Sequence, residues 1–264
     1  MEFRDLTFTR EGPVGLITLN RPAVLNALRR ETIEDLTAVF QEAGRDEELR
    51  CVVLTGAGKA FSAGQDLAEL SGMAQQKVDY YALRENVKQM QELTKAMLHL
   101  PKPVLAAVNG YAVGAGAELA IAGDIRYASE KATFEFSEVK IGLFETNGVT
   151  WLLPRLIGLG RAKELMLTGR RVEVGEAAQI GLVSGVFPAE RMLDEVLEKA
   201  AQIAKNAPVP IRFVKSTLNQ SGEIGLAEAL VYETDAVMTC LYTEDVREGA
   251  FAFLERREPK FKGS

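Results

Sequence analysis

Val104-Leu105-Ala106-Ala107-Val108-Asn109-Gly110-Tyr111-Ala112-Val113-Gly114-Ala115-Gly116-Ala117-Glu118-Leu119-Ala120-Ile121-Ala122 is the stretch on which the reading of the fold turns. Its first five residues are apolar without a break and are closed by Asn109-Gly110. Such a run reads as a strand covered on both faces. Gly114-Ala115-Gly116 then leads into an apolar helical pattern from Glu118 onward. Strand, glycine turn and helix together form the unit of an α/β protein. An upstream stretch repeats the order. Cys51-Val52-Val53-Leu54-Thr55 reads as a buried strand, runs into Gly56-Ala57-Gly58, and continues through Phe61-Ser62-Ala63-Gly64-Gln65-Asp66-Leu67 into another helical pattern.

Phe3–Thr9 and Val14–Leu19 read as strands about a turn at Glu11-Gly12-Pro13. Ile33, Leu36, Val39, Phe40 and Ala43 share a helical spacing that Gly44 is expected to end. Val87, Met90, Leu93 and Met97 mark a long helix stopped by Pro101. From about Met192 the pattern is helical throughout. Leu226, Leu230, Val237 and Leu241 give one apolar face, and Val246, Ala250, Phe253 and Leu254 give another. The expected organisation is an α/β core over 1–195 and a helical region over 196–264. No repeat of fixed period is visible.

Composition narrows the chemistry. The chain has 264 residues, 47% hydrophobic and 26% charged, an ordinary globular make-up. Its apolar runs are too short or too broken to span a bilayer, so no membrane partner is expected. Met1-Glu2-Phe3-Arg4-Asp5 lacks the basic and apolar regions of a secretory leader. Cys51 and Cys240 are too few for a disulfide framework, and a cytoplasmic setting is expected. A net charge of −6 without a basic run disfavours a nucleic-acid partner. The one histidine, His99, reads as a helix C-terminal residue. With so few His and Cys, a Ser-His-Asp triad, a Cys-His pair and a zinc site are disfavoured, and no metal is expected.

The chemistry then rests on the glycine turns and on carboxylates. A helix N-terminus aims free N–H groups outward, and two such ends converging would hold a developing oxyanion. Tight strand–helix packing is the plainer use of the same small residues. Glu118 sits at the start of an apolar helix, and Glu138 lies within Phe134-Glu135-Phe136-Ser137-Glu138-Val139. A carboxylate in apolar company is either paired or working. Two that share a site divide acid and base roles between them. The plainer readings are helix-end charge complementarity for Glu118 and a solvated loop for Glu138.

Four blocks in order then match a known family. They are Leu19-Asn20-Arg21-Pro22 with Leu25-Asn26-Ala27-Leu28; Phe61 to Leu67; Lys102-Pro103-Val104 through Asn109 to Ala120 and Asp124; and Phe253-Leu254-Glu255-Arg256-Arg257 with Pro259-Lys260-Phe261. Over nearly its whole length the chain resembles the enoyl-CoA hydratase/isomerase (crotonase) family. The resemblance implies a spiral of ββα units with a helical C-terminal region, assembled as a trimer or a dimer of trimers. It implies an acyl-CoA thioester substrate whose carbonyl oxygen accepts from the N–H groups of Gln65 and Ala115. It also implies catalysis by Glu118 and Glu138, with no cofactor beyond the CoA moiety. The adenine pocket would fall on Val24, Ala63 and Leu67, with Asp66 in the same CoA-binding set. Lys59 and Arg256 would meet the phosphates, Arg256 reaching from a neighbouring subunit. The implied reaction is hydration of a 2-enoyl-CoA, with Glu118 activating water and Glu138 supplying a proton to the α-carbon. The rivals are an enoyl-CoA isomerase and a non-catalytic binding protein on the same scaffold. Ser137 stands where the family often has Pro, and Gly142 to Thr150 departs from the usual Pro-Gly-rich loop. Glu145 in that loop is either a third catalytic acid or a surface residue, and the surface position is the expectation.

Overall fold

The structure is a computed structural model and describes residues 3–75 and 79–264. Met1 and Glu2, part of the stretch read against a secretory leader, lie outside the described residues. The chain opens with an antiparallel pair, β1 (Leu6–Glu11) and β2 (Val14–Leu19), turning at Gly12-Pro13. The first strand therefore lies later than the Phe3–Thr9 expected. Helix α1 (Arg30–Arg45) follows. The chain then makes one movement three times: a strand enters a large sheet, a three-residue strand enters a small one, and helices return. The first round is β3 (Cys51–Gly56), β4 (Ala60–Ser62), α2 (Leu67–Gln75) and α3 (Tyr80–Leu98). The second is β5 (Val104–Val108), β6 (Tyr111–Val113) and α4 (Ala115–Ile121). The third is β7 (Ile125–Ser129), β8 (Thr133–Glu135), a 3-10 turn over Glu138–Ile141, then α5 (Val149–Ile157) and α6 (Leu159–Thr168). Strand β9 (Arg171–Glu173), α7 (Val174–Gln179) and β10 (Gly185–Phe187) complete the sheets. The chain ends in α8 (Met192–Ala204), α9 (Pro208–Gln220), α10 (Leu226–Leu241) and α11 (Glu244–Glu255).

The large sheet runs β1-β2-β3-β5-β7-β10 and the small one β4-β6-β8-β9. β3, β5, β7 and β10 pair in parallel, as do β4, β6 and β8. Each round advances one place in both sheets, which makes the expected spiral of ββα units. The rounds differ greatly in length, so the repeat leaves no fixed period in the sequence.

Alternation along β3 and β5 explains why both read as continuously apolar. Val52, Leu54, Val104, Ala106 and Val108 face the main core with Leu36 and Phe40 of α1 and Met97 of α3. Cys51, Val53, Leu105 and Ala107 face Met192, Val196 and Ala200 of α8. Each fully buried Val, Leu, Phe or Met among them contributes about 1.5–3 kcal/mol. Helix α8 spans the boundary drawn at 195, so the cover of the sheet draws on both sides of that division. Gly44 does not end α1, which continues to Arg45. A Cβ there would make only ordinary contact, with Leu100 Cδ1 at 3.4 Å. The apolar faces read on α10 and α11 form, but they stay exposed on the chain: Leu226 is 77% and Phe253 84% accessible. Among the described residues no helix is long and apolar enough to cross a membrane.

Candidate active site

The two glycine turns meet. Gly64 has φ +88°, and a Cβ there would lie 2.5 Å from Val113 O and 3.3 Å from Ala115 N. Only glycine combines that backbone with that approach. Asn26 holds the first turn from beneath. It is 1% exposed, and its Nδ2 donates to Ala57 O and Ala60 O. Its Oδ1 accepts from the Arg21 N–H. Leu28 bridges Gln65 in parallel, donating to Gly64 O at 2.7 Å while Asp66 N–H donates to Leu28 O at 2.9 Å. In a parallel bridge the flanking residues make the bonds, so the N–H of Gln65 points away from Leu28.

Ala115 is the first residue of α4, after Gly114 at φ +51°. Its N–H stands ahead of the helical bonds, which begin with Glu118 N–H donating to Gly114 O. Among the described residues neither the N–H of Gln65 nor that of Ala115 has a protein acceptor, although Gly64, Asp66, Gly114 and Glu118 all donate. Both residues line a cavity of about 430 Å³ whose wall includes Leu83, Val87 and Met90 of α3 and Leu143 and Phe144. The lining is mainly apolar, as an acyl chain requires.

Glu138 lines the same cavity and opens the 3-10 turn after β8. A Cβ on Gly114 would lie 2.8 Å from its Oε1, so the second turn also keeps this carboxyl close. Glu118 lies one layer deeper and is fully buried. Its Oε1 accepts from Thr146 N–H at 3.0 Å. Its Oε2 accepts from Asn147 Nδ2 at 2.7 Å, and from Thr146 Oγ1 and Asn147 N–H at 3.3 Å each. Burial raises the Glu118 pKa, and these four donors pull against it. Glu138 has no such support. Burial first, then the Glu118 charge and next the Glu145 charge, push it up to about 7, against a hydrogen bond from its own backbone. Four donors serve the ionised form of Glu118, and nothing outside its own backbone serves that of Glu138.

Sequence reasoning missed Thr146 and Asn147, which carry no local signal for this role and lie 28 and 29 residues beyond Glu118. The surface expectation for Glu145 is overturned. The residue is 7% exposed, and its buried Oε1 accepts no hydrogen bond from the protein. The loop folds back between α4 and α3, where Thr94 Oγ1 donates to Asn147 O at 3.3 Å. The solvated-loop reading of Glu138 also fails, since it is 9% exposed. His99 is the C-cap of α3, as its position implied.

The residues expected around CoA divide. Ala63 and Leu67 line the cavity. Ala63 N–H donates to Leu25 O at 2.9 Å, which sets Val24 beside them, 46% exposed. Lys59 is exposed in the turn after Gly58, where a Cβ would lie 3.2 Å from Pro22 Cβ. Asp66 is engaged within the fold. Oδ2 accepts from Arg21 Nη1 at 3.0 Å and Oδ1 accepts from Ala68 N–H at 3.1 Å. Burial opposes its charge, but these donors hold its carboxyl below the usual range. Arg256 is not among the residues that line the cavity. It ends α11 in the left-handed region at φ 56°, within the C-terminal helices.

Known proteins resemble this chain along nearly its whole length. The family model described as enoyl-CoA hydratase/isomerase matches residues 9–264. The short-chain-enoyl-CoA hydratase of Clostridium acetobutylicum is 37% identical over 259 residues, 98% of this chain and 97% of that protein. The 2,3-dehydroadipyl-CoA hydratase of Escherichia coli is 36% identical over 259 residues, 98% of this chain and 99% of that protein. A crystal structure of an enoyl-CoA hydratase from Bacillus anthracis superposes with a TM-score of 0.94 at 36% identity, covering 99% of this chain and 100% of that one. With the paired turns and buried glutamates in place, this chain belongs to the enoyl-CoA hydratase/isomerase, or crotonase, family.

Proposed function

We propose that the protein hydrates a 2-enoyl-CoA thioester to a 3-hydroxyacyl-CoA. The observation that carries the reading is the unequal pair of buried glutamates beside two unpaired backbone N–H groups on one apolar cavity. The thioester oxygen lies between the N–H groups of Gln65 and Ala115, and polarisation leaves the β-carbon electrophilic. Donors held at about 2.7–3.1 Å from a developing oxyanion are each worth about 10²-fold or more in rate. Glu118, kept ionised by the Thr146–Asn147 segment, takes a proton from water as the oxygen attacks the β-carbon. Glu138 gives its proton to the α-carbon. Glu138 Oε2 and Asn147 Oδ1 are buried acceptors without a protein donor, which suits them to orient the water's hydrogens. The chemistry calls on no cofactor beyond the CoA moiety. Val24, Lys59, Ala63 and Leu67 form the corner for the nucleotide end, and Arg256 serves it from a neighbouring copy in a trimer or a dimer of trimers.

The test is turnover of crotonyl-CoA, followed by loss of the conjugated thioester absorbance. Glu118→Gln and Glu138→Gln are each expected to lose about 10²–10⁴-fold in kcat while thioester binding survives. Near-normal turnover in either variant defeats the mechanism. One observation favours a second reading. The buried Glu145 is a third carboxyl within electrostatic range of Glu138, as a proton shuttle along the acyl chain would use. Conversion of a 3-enoyl-CoA by a protein inactive on crotonyl-CoA would make it an isomerase.

A further inference from the structure

The cavity beside the paired turns runs on past the groups that would do the chemistry. Gln65, Ala115 and Glu138 lie on its wall. Ala63 and Leu67 lie there too, on the side of the proposed nucleotide corner. Much of the remaining wall is hydrocarbon. Leu83, Val87 and Met90 fall at i, i+4 and i+7 on α3 and so share one face. Ile141 ends the 3-10 turn, and Leu143 and Phe144 follow it on the same cavity. Although they line a cavity, five of these six stay accessible: Leu83 37%, Val87 39%, Leu143 37%, Ile141 57% and Phe144 72%. Large apolar side chains left wet around one cavity mark a binding surface. Among the described residues that line it, Glu138 is the one charged group, and there is no Lys, Arg or His. Cations on the neighbouring elements are directed elsewhere. Helical spacing turns Arg84 and Lys88 off the face that carries Leu83, Val87 and Met90, and Lys88 pairs with Glu85. Lys140 pairs with Glu135 at 3.0 Å.

We infer that this wall takes the far part of the acyl chain, and that the substrate is a 2-enoyl-CoA whose tail continues as uncharged alkyl for several carbons beyond the reacting double bond. The inference rests on the hydratase reading and narrows its substrate. A crotonyl group has one methyl beyond the double bond, so it leaves most of the wall wet. An octenoyl group has five carbons there, enough to cover side chains of both α3 and the 141–144 segment. Each methylene that leaves water for this wall adds affinity, and the side chains of the mouth are dried at the same time. A carboxylate at the end of the tail would give up water among hydrocarbon, with no cation on the wall to receive it. A second copy seated on the same side chains is the competing occupant. The acyl tail is favoured because the wall is continuous with Gln65, Ala115 and Glu138 in one cavity.

The experiment measures binding of butyryl-, hexanoyl-, octanoyl- and adipoyl-CoA by calorimetry, and turnover of the matching 2-enoyl thioesters. From butyryl to octanoyl, affinity is expected to rise roughly four- to fifteenfold per two carbons, and KM for the enoyl series to fall with it. The terminal carboxylate of the adipoyl chain is expected to cost about tenfold or more against hexanoyl. Two variants at accessible positions place the tail. Phe144→Ala should cut the gain from butyryl to octanoyl by about threefold or more. Val87→Arg supplies the missing cation and should narrow the gap between adipoyl and hexanoyl by about tenfold. Affinity that does not rise with length, or an adipoyl chain bound as tightly as the hexanoyl one, overturns the proposal. A length series unmoved by both variants overturns it too, and leaves the mouth to a second copy. The binding series needs no turnover. If wild type hydrates none of the enoyl thioesters while affinity still climbs with chain length, the hydratase reading falls and the tail assignment stands. Hydration with a flat series sinks the assignment alone.

Discussion

Burial beside Glu118 lifts the Glu138 carboxyl to about 7, against an ordinary 4.5, and this has a thermodynamic consequence. The folded protein then binds that proton more tightly than the unfolded chain does. Stability from this group is therefore fullest below pH 4.5 and is lost as pH rises to about 7. At about 1.4 kcal/mol per unit, the ionised folded form is penalised by roughly 3 kcal/mol at most. Glu138→Gln removes the penalty. Its urea-unfolding free energy relative to wild type should grow by about 1–3 kcal/mol between pH 5 and pH 8, as expected where function opposes stability. A difference flat with pH would mean that Glu138 is not strained by its charge. The glutamates could be found in the sequence because carboxylates among apolar residues are costly. Thr146, Asn147 and the burial of Glu145 could not, because the sequence from Gly142 to Thr150 has no apolar period to tell a loop folded onto the site from one at the surface.

At the level of elements, β2, β3 and β5 were legible as apolar runs that later pair side by side. The small sheet was not. Its strands β4, β6, β8 and β9 are three residues each, too short to show a period, and they exist because neighbouring rounds of the spiral align them. The seat of α9 was equally hidden. Lys215 Nζ donates to Asp124 Oδ2 and Met97 O at 2.8 Å each, and to Lys102 O at 3.0 Å, with 6% of its side chain accessible. Burial lowers the Lys215 pKa and raises that of Asp124. Both shifts say that desolvation outweighs the attraction, so the pair fixes where α9 docks more than it stabilises the fold. Breaking it leaves a lone buried charge. Lys215→Met should cost about 3–5 kcal/mol in urea unfolding. Adding Asp124→Asn should return part of that, because the amide oxygen still accepts from Val104 N–H, as Oδ2 does at 2.7 Å. If the double variant were less stable than the single one, the desolvation argument would be wrong.

For the whole molecule, the telling surface is α10 with α11. Leu230, Val237 and Leu241 on α10 are 51–56% exposed, and Leu254 on α11 is 75% exposed. Their helical spacing was plain in the sequence, and a sequence pattern cannot say whether its partner is the same chain or another. Contiguous apolar surface of this kind marks an interface. The proposed CoA site adds to this, since Arg256 ends α11 and is not among the residues that line the cavity. In the assembly proposed above, copies would bury α10 and α11 against each other, and each would lend its Arg256 to a neighbour's nucleotide corner. Light scattering should then give three or six times the 28.9 kDa chain mass. A Leu230→Glu and Val237→Glu double variant should dissociate and raise KM for the thioester more than it lowers kcat. Arg256→Ala should raise KM in the same way with the assembly intact, because it removes the contact and leaves the interface. If the dissociated chain kept a wild-type KM, each copy would bind its CoA unaided, and the exposed faces of α10 and α11 would need another purpose.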